Sequence, residues 1–166
     1  MAVRPLVMFP DPLLRRKALA VEAFDDSLQA LAQDLMDTLV AAPAIGLTAA
    51  HIGVPARLVA IRLADDALMR LYVNPEITWT SPEMKTEREG SVSMPGISEE
   101  IERPARVGLK WRTLTGDLKE GEADGFLAVV LQHEIDQLDG LFWLERLSRL
   151  RRERAVRRYQ KASGRR

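Results

Sequence analysis

The residues best suited to chemistry are Gln132-His133-Glu134-Ile135-Asp136-Gln137, a polar cluster that follows the apolar run Phe126 to Leu131. Buried polar groups cost roughly 1–3 kcal/mol each when unsatisfied, so something is meant to meet them. The cluster falls one residue short of H-E-x-x-H, in which two histidines four apart on one helix face hold a metal and the Glu handles the proton of a metal-bound water. Gln137 stands where the second His would be. On pattern alone a single His-Glu pair is more often a satisfied core histidine than a ligand. The chain has no cysteine and only two histidines, His51 and His133. Disulfides, thiolate ligands and thiol nucleophiles are therefore excluded, and a tight transition-metal site would have to recruit carboxylates.

The elements that must position this cluster follow from periodicity and punctuation. Asp25, Asp26 and Ser27 offer N-caps, and Leu28, Leu31, Leu35 and Leu39 recur at helical spacing, which predicts an amphipathic helix ending before Pro43. The segment AAPAIGLTAAHIG is small, apolar and glycine-bearing and is a candidate site loop. Arg57–Leu63 and Leu71–Val73 read as short strands, with Asn74-Pro75 marking a turn after the second. Val107, Leu109 and Trp111 alternate with Gly108 and Lys110, and Thr115-Gly116-Asp117 supplies a turn, as in antiparallel sheet. A second helix, from about Gly125 to Asp139, is apolar on every face for almost two turns and must lie deep in the core, with Gly140 as its stop. A third, basic helix over about 149–163 starts after Ser148 and sets Leu147, Ala155, Tyr159 and Ala162 on one side. No repeat, low-complexity tract or linker interrupts the 166 residues, so one α+β domain over 1–166 is expected, with antiparallel sheets around the buried helix.

Three segments together resemble the motifs of peptide deformylases, which read approximately G-x-G-L-A-A-x-Q, E-G-C-L-S and Q-H-E-x-D-H-L. This chain has Ala44-Ile45-Gly46-Leu47-Thr48-Ala49-Ala50-His51, Glu89-Gly90-Ser91-Val92-Ser93 and Gln132-His133-Glu134-Ile135-Asp136-Gln137-Leu138, in that order. The resemblance also takes in Phe9-Pro10-Asp11-Pro12-Leu13, Asn74-Pro75, Arg103-Pro104, Leu141-Phe142 and Leu147-Ser148, and so spans nearly the whole chain. It implies a peptide-deformylase-like fold and a hydrolase that removes formyl groups from N-formylmethionyl peptides during translation, using Fe²⁺ or Zn²⁺ held by one Cys and two His.

The departures fall on that metal. Ser91 occupies the Cys position and Gln137 the second His position, leaving His133 as the one family ligand. A neutral hydroxyl is a poor donor to a transition metal, and an amide oxygen is weaker and harder than imidazole. Glu134, by resemblance the general acid/base, remains, but water without a Lewis acid keeps a pKa near ~15.7 instead of about 7. The resemblance further assigns substrate contacts to Ile45, Gly46, the Val92 backbone N–H and His51, the last replacing a Gln that helps hold the formyl oxygen. Our principal expectation is a degenerate metal site and a pseudoenzyme without tightly bound cofactor. It would still bind nascent or N-terminal (formyl)Met peptides in a groove lined by Ile45, Phe126, Val129 and Val130. One alternative is a rebuilt Fe²⁺ or Zn²⁺ site using His51, His133 and Glu134 or another carboxylate, retaining deformylase activity. Another is metal-free hydrolysis with Ser91 as nucleophile, His51 as base and Glu134 orienting it. If neither holds, Ser91 fills the vacated Cys site, His51 is a hydrogen-bonded core histidine, and Glu134 pairs with the Gln137 amide or a backbone N–H.

Charge and hydropathy bound the partners. The net charge is zero, but Glu145–Arg166 carries ten Lys and Arg against two Glu, a net +8, so residues 1–144 carry −8. Basic helices at chain ends are most often simply solvated, but such a helix also suits a ribosomal contact, which the resemblance implies; DNA is not an expected partner. No apolar run approaches the roughly 20 residues a membrane-spanning helix needs, and the prolines of MAVRPLVMFPDP interrupt any secretory helix, so a cytoplasmic location is expected.

Overall fold

The computed structural model describes residues 2–164, so Arg165 and Arg166 of the basic terminal segment lie outside the described residues. Seven strands and three α-helices follow in the order α1 (Asp26–Ala41), β1 (Gly46–Thr48), β2 (Leu58–Ile61), β3 (Arg70–Thr80), β4 (Met84–Gly90), β5 (Ser98–Pro104), β6 (Arg106–Arg112), β7 (Leu118–Asp124), α2 (Gly125–Leu138) and α3 (Arg149–Ser163). All pairings between these strands are antiparallel. A five-stranded sheet runs β1-β2-β3-β6-β7, and β4-β5 form a separate hairpin. This is the α+β architecture expected from the sequence.

Strand β2, Leu-Val-Ala-Ile, is buried at every residue because both faces of the sheet are covered. Leu58 and Ala60 join Leu28, Ala32, Leu35 and Leu39 of α1 on one side. Val59 and Ile61 join Ala128, Leu131, Ile135 and Leu138 of α2 on the other. A third apolar cluster, with Leu14, Met94, Phe142, Trp143, Leu144 and Ala155, ties α3 to the hairpin side of the molecule.

Four expectations change in detail. Strand β3 does not stop at Asn74-Pro75 but runs through to Thr80. The irregularity is absorbed by a register shift between Val73 and Glu76 and by Asn74 at φ 50°, whose side chain exchanges hydrogen bonds with the Val21 backbone. The candidate site loop is partly ordered into β1 and the 3₁₀ turn Ala49–Ile52. On α3, Ala162 is exposed; the inward side is made by Ala155, Val156 and Tyr159, with Tyr159 edge-on to Phe9 at 5.7 Å. Helix α2 is buried along most of its length as expected, but Phe126 in its first turn is 43% exposed.

Candidate functional site

A cavity of about 410 Å³ opens between β1, the β4–β5 hairpin and α2. Its wall includes Ile45 and Gly46 from β1 and its approach, His51 from the 3₁₀ turn, Glu89 and Gly90 from the end of β4, and Ser91 and Val92 just beyond it. Phe126, Val129, Val130, His133 and Glu134 from α2 complete it. Every residue that the sequence assigned to substrate, base or groove therefore meets in one place, as does Ser91. Helical spacing explains the α2 set, since Phe126, Val129, Val130 and His133 are three and four apart on one face. Gly46 lets Glu134 pack close: a Cβ there would sit 2.7 Å from Glu134 Oε1, so the carboxyl would have to shift.

His133 is held from behind. Its Nδ1 lies 2.9 Å from Glu89 Oε2. Glu89 also receives the Arg103 guanidinium in a two-point clamp, Nε to Oε1 at 2.6 Å and Nη2 to Oε2 at 2.9 Å. Arg103 Nη1 continues to Asp136 Oδ2 at 2.8 Å, and Asp136 is bound in turn by Arg146 at 2.8 and 2.5 Å. Glu89, Arg103 and Asp136 are each buried. Burial alone would raise the Glu89 carboxyl, but the bonds from His133 and Arg103 outweigh it and hold Glu89 below its ordinary value. Burial would likewise lower His133, yet the Glu89 bond and the charges of Glu134 and Glu89 raise it. The network fixes the His133 ring as an outer shell fixes a metal-ligating histidine.

Glu134 has no such support. It is 4% exposed, and Oε2 is buried without a hydrogen-bond partner. Burial pushes its carboxyl up to about 7, against an opposing pull from His133. The expected pairing with the Gln137 amide is not formed, because Gln137 Nε2 donates to the Leu14 carbonyl at 2.6 Å instead.

His51 is 2% exposed and, as expected, hydrogen-bonded: its Nδ1 accepts from the Thr48 backbone N–H at 3.0 Å, with the Thr48 hydroxyl at 2.9 Å. Burial, then the neighbouring charge of His133, lower its pKa to about 3, so the ring is neutral. With Nδ1 spent as acceptor, the ring hydrogen sits on Nε2. In that tautomer His51 can donate to an oxygen, as the Gln it replaces would. It offers no lone pair on Nε2 for a metal and none for a proton from Ser91. The Ser91 hydroxyl oxygen accepts from the Ser93 N–H at 3.1 Å, and no Ser91–His51 bond forms.

These donors fit a transition metal poorly. Gln137 lies outside the cavity wall and points its amide at Leu14. Among the described residues no group of three or more His, Cys, Asp or Glu side chains is placed to hold a metal ion. Of the family's three ligand positions, only His133 keeps a suitable donor facing the cavity. Sequence reasoning gave no role to Glu89, Arg103, Asp136 or Arg146. The signal was there in Glu89 and Asp136, two acidic residues inside motifs otherwise destined for the core, but nothing in the sequence joins them to Arg103 and Arg146.

An α+β fold that brings these three motifs around one cavity is that of the deformylases. The sequence model of polypeptide deformylase matches residues 3–153, and the chain belongs to that family. It is 55% identical over 161 residues to a "Peptide deformylase-like" protein of Rhizobium meliloti (strain 1021), covering 97% of this chain and 94% of that one. It is 42% identical over 164 residues to a protein of Phenylobacterium zucineum (strain HLK1) named "Peptide deformylase", covering 97% of each. Among solved structures, the peptide deformylase of Legionella pneumophila superposes with a TM-score of 0.91 at 38% identity, over 98% of this chain and 96% of that one. No helix among the described residues is long and apolar enough to cross a membrane.

Proposed function

We propose that this chain is a deformylase-fold protein that binds N-terminal methionyl peptides in the cavity and has lost the deformylation reaction. The observation that carries this reading is the divergence between the two halves of the site. The recognition half is built and open: an apolar wall of Ile45, Phe126, Val129 and Val130, with His51 fixed as an N–H donor beside it. A cavity of about 410 Å³ lies within the roughly 300–1,000 Å³ usual for ligand sites. The metal half has been turned to other uses, with Gln137 bound to Leu14 and Ser91 bound to Ser93.

Glu134 remains in the wall, but with no activated water at hand its proton transfer has no substrate. The direct test is calorimetric titration of the full chain with formyl-Met-Ala-Ser, with formate release followed in parallel. The reading predicts saturable binding that Val130→Trp weakens by filling the cavity, and no formate. Formate release that tracks protein concentration would overturn the loss of reaction, and absence of any methionyl-peptide binding would overturn the recognition.

We also propose that α3 supplies a contact to ribosomal RNA. Several of its arginines are engaged within the fold, Arg151 and Arg158 with Glu99 and Arg152 with Glu145. Arg154 and Arg157 are exposed on the outer side, Arg157 in a surface pair with Glu153 at 3.5 Å, and could meet phosphates.

A further inference from the structure

The carboxylates around the cavity are unequally compensated. Glu89 has Arg103 and His133, and Asp136 has Arg103 and Arg146. Glu134 forms no ion pair or hydrogen bond through its buried Oε2, although it is 4% exposed and sits in the cavity wall. A buried carboxyl oxygen without a hydrogen-bond partner in such a place calls for a donor arriving with the ligand. The other polar groups of the wall do not meet that need. His51 is turned onto Thr48, His133 onto Glu89, and the Ser91 hydroxyl onto Ser93. Arg88, the one guanidinium in the wall among the described residues, is anchored to Ser98 through Nη1 at 3.2 Å.

We propose that the cavity selects peptides whose N-terminus is a free α-ammonium over formylated ones, with the ammonium bound at Glu134 and the Met side chain against Val129, Val130 and Phe126. This inference rests on the reading that the cavity is a methionyl-peptide site, and it names which form of the N-terminus the site takes. The logic is one of charge. A formamide is neutral and brings a single N–H to the unpartnered Oε2, whereas an ammonium supplies three N–H donors and a positive charge at contact distance, beside a carboxyl whose charged neighbour His133 is already bonded to Glu89. The neutral His51 Nε2–H stays available for the first carbonyl oxygen of either peptide.

The test compares three peptides with one carboxyl end, Met-Ala-Ser, formyl-Met-Ala-Ser and acetyl-Met-Ala-Ser, titrated into the full chain by calorimetry in EDTA-containing buffer. Charge-assisted hydrogen bonds exceed neutral ones by enough to predict that Met-Ala-Ser binds at least about tenfold more tightly than either blocked peptide. Glu134→Gln, which keeps the shape and removes the charge, should bring the three affinities together. Formylated peptide binding as tightly as the free amine, or better, overturns the ammonium assignment and leaves the methionyl-peptide site standing. A preference that survives unchanged in Glu134→Gln also overturns the assignment to Glu134. Failure of all three peptides to bind overturns both, and since the wild-type ratio alone decides the first question, the test does not depend on the variant folding.

Discussion

Replacing Arg103 with Leu tests whether the buried network is what holds the site together. The substitution removes three short charge-assisted bonds, two to Glu89 and one to Asp136, from a side chain that is 3% exposed. Breaking a buried ion pair by deleting one partner costs about 3–5 kcal/mol, because the other charge is left uncompensated. Here each carboxylate keeps one further partner, His133 for Glu89 and Arg146 for Asp136, which places the cost near the lower end, at about 3 kcal/mol. Against a typical total of roughly 5–15 kcal/mol this is a large fraction. With a urea m-value of about 2 kcal/mol/M, the unfolding midpoint should fall by about 1.5 M. The pH dependence has a definite sign. Glu89 is held below its ordinary value in the folded state, so its contribution is present above the unfolded pKa and lost as pH falls through the folded one. The deficit of the variant should therefore be full at pH 7.5 and shrink in acid. A loss under about 1 kcal/mol at pH 7.5, or a deficit that grows in acid, would refute the account of the network.

Other consequences are open to simpler measurements. Gln137→Leu should lower stability by about 1–3 kcal/mol in equilibrium unfolding, since the Leu14 carbonyl loses its donor in a buried setting; no loss would mean the bond is incidental. Glu134 titrates near 7 in the fold and near its ordinary 4.5 when unfolded, so the folded state holds the extra proton between those values and stability falls as pH rises through that window. Glu134→Gln should accordingly be more stable than the parent at pH 8, by on the order of 3 kcal/mol, with the advantage vanishing below pH 4.5; equal stability at both pH values would contradict the burial argument. His51→Gln should keep methionyl-peptide affinity while His51→Phe loses about 3–10-fold, because only the former preserves an N–H donor; equal behaviour of the two would remove His51 from recognition. Arg154→Glu with Arg157→Glu should abolish co-sedimentation with ribosomes at low salt while lowering stability by only about 1 kcal/mol or less through the lost Arg157–Glu153 surface pair, and binding that ignores the double substitution would sink the α3 contact.

How much of this was legible in the sequence depends on the kind of signal. Leu28, Leu35 and Leu39, the Asp25 cap and the Gly140 stop announced α1 and α2 nearly to the residue, because periodicity and capping are local. The motifs located Ile45, Gly46, His51, Val92, His133 and Glu134, and all six line one cavity. What could not be read is whatever depends on a partner far along the chain. The Arg103–Glu89–Asp136–Arg146 network joins a β-hairpin to α2 and the turn beyond it, and no spacing rule predicts that meeting. The direction of the Gln137 amide, toward Leu14 rather than Glu134, is settled by a residue 123 positions away. Continuation of β3 through Asn74-Pro75 depends on Val21 accepting the Asn74 side chain, and the tautomer of His51 depends on where the Thr48 N–H points.

The central claim is that the fold persists while the metal site does not, and metal content tests it most directly. The untagged full chain would be incubated with Fe²⁺, Ni²⁺ or Zn²⁺, desalted and assayed for bound metal, alongside deformylation of formyl-Met-Ala-Ser. With Gln137 committed to Leu14 and His51 locked as a donor by Thr48, the account predicts metal far below one equivalent per chain and no turnover. Close to one metal per chain, with turnover that disappears in Glu134→Ala, would contradict it and return the chain to the active hydrolases of its family.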